Sequence, residues 1–198
     1  MGRHREFDTD EALAAALSVF WQKGYEGASF EDLTKATGVA RPGLYSAFGN
    51  KEALFHRVLD LYEVQYMGFM REALLEPTSR RVVERILRGC ANLHTLNAAH
   101  PGCLGLNGAL ACSDEAEPVR RELIRRRDAS ERALRRRLES ARREGDLAPA
   151  ADCAILAAFV MTIAQGMAVQ AKAGATRQML DNLADHVLNA WASATPSA

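Results

Sequence analysis

The residues best suited to recognition chemistry stand close together near the N-terminus. Arg41, Tyr45, Ser46 and Lys51 fall within eleven positions, and Ser29 precedes Arg41 by twelve. An arginine fork matches O6 and N7 of guanine. Hydroxyls, a lysine ammonium and free helix-start amides suit phosphate oxygens. A second group is chemically reactive. Cys90, Cys103, Cys112 and Cys153 lie further along the chain, with His94 and His100 among them. Thiols and imidazoles can respond to oxidants or electrophiles, or ligate a metal.

The first group needs a rigid frame, and residues 29 to 55, SFEDLTKATGVARPGLYSAFGNKEALF, supply one. Ser29 is a good N-cap, and Asp32 three places on completes a weak capping box. Phe30, Leu33 and Ala36 recur at helical spacing and predict a helix over Phe30 to Thr37. Gly38 can take the left-handed conformation that ends a helix, and Val39 points inward to hold the turn. Ala40 is a poor N-cap, but Pro42 in the first turn of the next helix costs nothing. Leu44, Tyr45 and Phe48 form the inner side of that second helix, which Gly49 ends. Phe48 reads as core. Asn50 caps a further helix that opens Lys51-Glu52-Ala53. Two helices this short cannot fold alone. Asp8 and Glu11 open a covering helix, whose Leu13, Ala16, Leu17, Phe20 and Trp21 share a face and which Lys23-Gly24 ends. The order is that of a helix-turn-helix, which sets its second helix in the DNA major groove.

The segment from Phe7 to Phe55, with FWQKGYEGASFEDLTKATGV and LYSAFGNKEALF, resembles the DNA-binding domain of the tetracycline-repressor (TetR) family. The resemblance implies an all-helical homodimer that binds a palindromic double-stranded operator and releases it when its second domain takes up a small molecule. It places Arg41, Pro42, Gly43 and Ser46 on the groove side of the recognition helix, and Tyr45, Lys51 and Ser29 at phosphates. Gly43 departs from the pattern, since members commonly carry Ser or Thr there, so base readout leans on Arg41 and on DNA shape.

Composition sets further bounds. Apolar residues make up 48% of 198, enough for a real core, and the net charge is zero. The first 57 residues carry seven Lys+Arg and eight Asp+Glu, a net of −1. Binding to DNA therefore requires cations gathered on one face, with Arg3, Arg5, Arg41 and Lys51 as candidates. Strong salt dependence is expected. No signal peptide is visible after Met-Gly-Arg-His-Arg, and the longest apolar stretch, Ala154 to Ala164, is too short to span a bilayer. The expectation is a cytoplasmic chain with reduced cysteines and no membrane partner.

Residues 1–50 read as the DNA-binding domain and 51–198 as a ligand-binding and dimerisation domain of six helices, about nine in all. Predicted helices run from Lys51 to about Leu75, Ser79 to about Ala98 and Cys103 to Cys112. Others run from Pro118 to Glu144, Asp152 to Ala173 and Thr176 to about Ala194. The segment from Arg120 to Arg143 holds eleven arginines. Glu122, Asp128, Glu131 and Glu139 are interspersed, and Val119, Leu123, Leu134 and Leu138 run down one side. It reads as a solvated amphipathic helix rather than a nucleic-acid patch. In the last two helices Ile155, Phe159, Ile163, Leu180, Leu183, Val187 and Trp191 look built to meet a two-fold mate. Such a dimer would set two recognition helices roughly 34–36 Å apart.

Three readings of the sensing half stand open. Cys103 follows Pro101-Gly102 in the first turn of a predicted helix, where free amides favour a thiolate, with His94 and Arg88 adding to the effect if they fold inward. The PGCLGLNGALA stretch is similar to a Gly-Cys-Leu segment in one branch of the family. That branch includes members responsive to electrophiles or oxidants, and one proposed to respond to copper. A metal site would draw on His94, His100, Cys103 or Cys112, without compact ligand spacing. Otherwise the cysteines, Cys90 among them, are inert beside an organic-ligand pocket for which Tyr62, Tyr66, Phe69, Met70, Phe159, Thr162, Gln165 and Met167 are candidates. Cys103 and Cys112 lie roughly 13 Å apart along one helix and cannot bridge each other. No cofactor is expected. An enzyme with a Cys103 nucleophile, or a helical interaction module, would leave the helix-turn-helix spacing unexplained.

Overall fold

The computed structural model describes residues 7–109 and 113–191. Among the described residues are ten α-helices, one 3-10 turn and no strand, as an all-α chain requires.

Local rules build the N-terminal third. Helix α1 (Thr9–Gly27) starts under Asp8, whose carboxylate accepts from the amides of Asp10 and Glu11 at 2.8 and 3.2 Å. Its regular part stops at Gly24, which is left-handed with φ 73°, before one more turn. Helices α2 (Phe30–Thr37) and α3 (Arg41–Phe48) have the bounds that their capping residues predict. Gly38 between them is left-handed, with φ 69°, and Ala40 makes no side-chain cap. Helix α4 (Lys51–Tyr66) starts where the Asn50 side chain accepts from the Ala53 amide at 2.8 Å.

The long helix expected from Lys51 to about Leu75 is two helices. The chain leaves α4 at Met67, with φ −102° and ψ 8°, and restarts as α5 (Gly68–Ala73). Gly68 is a weak helix former at the break. The restart seats the Phe69 ring on α6 (Ser79–Thr95) at Gly89, where an added Cβ would lie 2.2 Å from a ring carbon. This extra break makes ten helices rather than nine. The chain continues through α7 (Leu104–Ala109), α8 (Glu117–Arg143), α9 (Cys153–Lys172) and α10 (Arg177–Trp191).

Two cores result. In the first, α1 to α4 close around Phe20, Leu33, Leu44, Phe48 and Phe55, with Phe20 and Phe55 edge-on at 5.0 Å. Leu93, Leu104, Val119 and Leu123 belong to this same core, so its packing runs past residue 50 into α6, α7 and α8. The second gathers α6, the C-terminal half of α8, α9 and α10 around Ile86, Leu138, Val160, Met167 and Leu188. Val119, Leu123, Leu134 and Leu138 are all buried, giving α8 its apolar side. Helix α9, with mean hydropathy 1.7 over its best window, is long and apolar enough to cross a membrane by length and composition alone, beyond what its 154–164 stretch suggested. Here its Ala157, Val160, Ala164 and Ala168 are instead buried within the fold.

Candidate DNA interface and sensor cavity

The first turn of α2 is closed reciprocally. The Asp32 amide donates to Ser29 Oγ at 3.1 Å, and the Ser29 amide donates to Asp32 Oδ2 at 3.0 Å. Lys23 Nζ reaches Asp32 Oδ1 at 2.5 Å. The Lys23 ammonium, and then the Ser29 amide and hydroxyl, hold the Asp32 carboxyl well below the usual carboxylate range. Ser29 therefore already serves its own helix, and its exposure leaves it open to a phosphate as well.

Helix α3 presents Arg41, Pro42, Tyr45 and Ser46 to solvent on one face. Gly43 does not share it. It is half-buried, and a Cβ there would lie 2.9 Å from Val39 Cγ1 and 3.7 Å from the Phe7 ring. The lack of a side chain at Gly43 leaves room for the turn residue Val39 to close on α3. Arg41 stands over two stacked rings. Its guanidinium carbon is 4.2 Å from the Phe30 centroid and 5.4 Å from that of Tyr45, and Nη2 donates to Tyr45 Oη at 3.0 Å. The rings are themselves 5.1 Å apart. The fork is thereby held across α2 and α3 with solvent on its far side. Lys51 is half-buried, with Nζ 4.7 Å from the Tyr25 centroid. Burial lowers its pKa, with Glu26 opposing. Arg3 and Arg5 lie outside the described residues.

The C-terminal end of α1 ties this domain to the Cys103 region. Trp21 is buried, and its indole N–H donates to the Gly102 carbonyl at 3.1 Å. Asn107 Nδ2 donates to the Trp21 carbonyl at 3.2 Å. The Ser113 amide donates to the Glu26 carboxylate at 2.6 Å, and hydrogen bonds from Ser113 hold Glu26 below the usual carboxylate range. Trp21 also meets Tyr62, Tyr66 and His100 at centroid distances of 4.9, 5.0 and 6.0 Å. Gly102 has φ 88°, and a Cβ there would sit 3.0 Å from the Ala168 carbonyl oxygen. The loop before Cys103 thus lies between α1 and α9 with no space to spare.

Beneath this junction is a cavity of about 120 Å³ lined by Cys90, His94, Cys103 and Gln165, among others. Cys103 precedes α7 rather than lying in its first turn, and its carbonyl accepts from the Asn107 amide at 3.0 Å. Tyr62 Oη donates to Cys103 Sγ at 3.6 Å. Burial, then the neighbouring thiol, raises the Tyr62 pKa well above its ordinary value. Burial also pushes the Cys90 thiol up to about 12, so it stays protonated. The expected help from His94 and Arg88 is not there. Burial pushes the His94 imidazole down to about 4, which makes it neutral at pH 7. Arg88 turns away to Asp185, Asp181 and Glu84 at 2.5, 3.4 and 3.6 Å. His94 Nδ1 has no hydrogen-bond partner.

The metal set is not assembled among the described residues. His94 lines the cavity, His100 stacks on Trp21, and Cys112 lies outside the described residues. Of the organic-ligand candidates, Tyr62, Met70 and Gln165 line the cavity; Tyr66, Phe69, Phe159, Thr162 and Met167 do not. Tyr66 is turned to Trp21, while Phe159 and Thr162 are on the exposed side of α9. The sequence reading missed Leu123, Arg126, Arg127 and Ser130. They come from α8, whose many charges suggested solvent. The available signal was two polar residues, Arg127 and Ser130, interrupting its apolar stripe.

The outer face of α9 is uncovered, with Ile155 at 66% and Phe159 at 43% exposure, and Ile163 and Leu183 are half-buried. Leu180, Val187 and Trp191, expected at a dimer contact, are buried in their own chain. The Trp191 indole donates to Ser79 Oγ at 3.2 Å, because α10 spends its apolar stripe on α6.

Residues 12–58 match the profile of bacterial regulatory proteins of the tetR family, and residues 81–187 match the tetracyclin repressor-like C-terminal domain. The chain belongs to the TetR family of transcriptional regulators. It is 35% identical over 193 residues to the HTH-type transcriptional repressor ComR of Escherichia coli K12, covering 96% of this chain and 91% of that one. It is 32% identical over 122 residues to the repressor BdcR of the same organism, covering 60% of each. A cysteine mutant of the TetR-family regulator CifR, solved with a 26 bp double-strand operator DNA, superposes with a TM-score of 0.90 at 39% identity, covering 96% of this chain and all of that one. These relatives are regulators of transcription, not enzymes.

Proposed function

We propose that this chain is a cytoplasmic homodimeric repressor that reads a palindromic operator and is released by a signal received in the cavity at Cys103. The observation that carries this is the Trp21–Gly102 hydrogen bond, which joins the frame of the DNA-reading helix to the residue next to that thiol. Arg41 reads a base edge, with Pro42 and Ser46 beside it. Tyr45, Ser29 and Lys51 hold phosphates. Residues 1–50 act as the reading unit and 51–198 as the sensing and dimerising unit. The mate lies on the exposed side of α9, at Ile155 and Phe159 with Ile163 and Leu183. The signal is a small molecule among Cys90, His94, Cys103 and Gln165, or a thiol-modifying agent at Cys103 itself, in keeping with the Gly-Cys-Leu branch. A shift of the loop before Cys103 moves α1 and changes the spacing of the two reading heads.

Fluorescence anisotropy on DNA from just upstream of the gene tests the reading. Salt-sensitive binding is expected, with Arg41→Ala weaker roughly tenfold to hundredfold at unchanged melting temperature. A mild thiol oxidant should abolish binding by the native chain and spare Cys103→Ser. Binding untouched by oxidant would retire the thiol switch. Absence of binding to any genomic fragment would sink the regulator.

A further inference from the structure

The inward stripe of α8 runs Val119, Leu123, Arg127, Ser130, Leu134 and Leu138. All are buried apolar side chains except the middle two, which line the cavity. Four arginines of this helix are drawn part-way out of solvent: Arg126, Arg127, Arg137 and Arg142. Three have their charge or donors met within the fold. Arg126 meets Asp60, Glu122 and Glu63 at 2.6, 2.7 and 2.9 Å. Arg137 Nη2 donates to the Glu76 and Pro77 carbonyls at 2.8 and 3.1 Å, while its Nη1 has no hydrogen-bond partner and lies 3.8 Å from the Glu144 carboxylate; Arg142 donates to the Ala151 carbonyl at 2.9 Å. Arg127 has no such partner among the described residues.

The rest of the lining points the same way. Its charged members are Glu63, Arg126 and Arg127, and Glu63 is taken by Arg126. One positive charge is left over. Gln165 contributes an amide without a side-chain partner among the described residues. His94, 4% exposed, contributes the unpartnered Nδ1. A buried polar atom without a partner is costly, and here it shares a cavity with a half-buried guanidinium and an amide that no side chain meets, so the cavity is arranged for an occupant that meets them. The walls beside them are apolar: Leu59, Met67, Met70, Leu106, Leu123 and Met161. A wider cleft of about 430 Å³ adjoins, sharing Met67, Met70, Arg126 and Ser130, and offers a way in.

We infer that the cavity takes a small apolar carboxylic acid, its carboxylate on Arg127 and its hydrocarbon body among the methionines and leucines. This rests on the reading of the cavity as the sensor site. A guanidinium fork matches a carboxylate with two parallel hydrogen bonds. The one unmatched cation balances one negative charge. A phosphate dianion would keep a second charge against apolar walls, which is unfavourable.

The test titrates the full chain with hexanoate, octanoate and phenylacetate against 1-hexanol, 1-octanol and 2-phenylethanol, read by tryptophan fluorescence. The acids should bind roughly tenfold to hundredfold more tightly than the alcohols. Arg127→Met should reduce the acids to the level of the alcohols without lowering the melting temperature of the free protein, and Arg127→Lys should retain part of the preference. If Arg127→Met fails to fold, Arg127→Gln serves the same comparison. Alcohols that bind as tightly as acids, acids that bind Arg127→Met unchanged, or no acid binding at all would each overturn the inference. Operator anisotropy on the same samples separates the two claims. Acid binding with no effect on the operator upholds the ligand class and overturns the coupling, while loss of the acid preference with operator binding intact overturns only the ligand class.

Discussion

The helix-turn-helix and the cavity at Cys103 are built on opposite terms. In α2 and α3 nearly every polar group at the turns is met by a residue a few places away: Ser29 with Asp32, the Gly38 amide with the Thr34 carbonyl, the Gly49 amide with the Tyr45 carbonyl. Only the outward face, at Arg41 and Ser46, is left for a partner. In the cavity the walls come from α4 to α9, His94 Nδ1 is left without a hydrogen-bond partner, and Arg127 has no ion-pair partner among the described residues. A surface that must fit one invariant shape, the DNA groove, can be set rigidly by local rules. The cavity keeps an unpartnered nitrogen and depends on long-range packing.

The sharpest way to break this contrast is to loosen the reading frame from within. Leu33→Ala removes a fully buried side chain under the turn and should cost about 2–5 kcal/mol by chemical denaturation. A smaller loss would mean that α2 is held by its caps more than by its core.

The cavity is probed by pH. Folded His94 titrates near about 4 rather than its ordinary 6.5, because burial disfavours the imidazolium. Below pH 6.5 the unfolded chain takes up a proton that the folded chain refuses. This group's contribution is therefore complete above 6.5 and is lost progressively as pH falls toward 4. The loss over that window is on the order of 3 kcal/mol. His94→Gln should flatten this part of the stability profile, measured by urea melts at stepped pH. A profile equally steep in the variant would place the acid sensitivity elsewhere. The smallest effect belongs to the cap: Ser29→Ala should cost about 1 kcal/mol, seen as a lower thermal midpoint. If it weakens operator binding further than the lost stability explains, Ser29 also touches phosphate.

Much of the reading half was legible in the sequence. The bounds of α2 and α3, the left-handed Gly38, the Asn50 cap and the core role of Phe48 follow from residues within one or two turns of each other. The half-burial of Gly43 was not legible, because it depends on how Val39 and Phe7 close over it. In the sensing half, the helices of the last hundred residues were legible from their periodicity and capping. What they do was not. Trp191 looked ready for a partner chain and is spent on Ser79, 112 residues away. Arg127 looked like one more solvated charge in an arginine-rich helix and lies at the cavity wall.

By itself the sequence determined the class of fold, the helix-turn-helix and the exposed side chains of its second helix, since capping and helical spacing are local properties of the chain. Only the tertiary structure decided that Trp21 bonds to Gly102, that Cys103 sits before α7 facing Tyr62, and that Arg127 is left unmatched in a cavity. Each depends on which helices meet, and that is fixed by the sum of many weak burial energies that no short stretch of sequence contains.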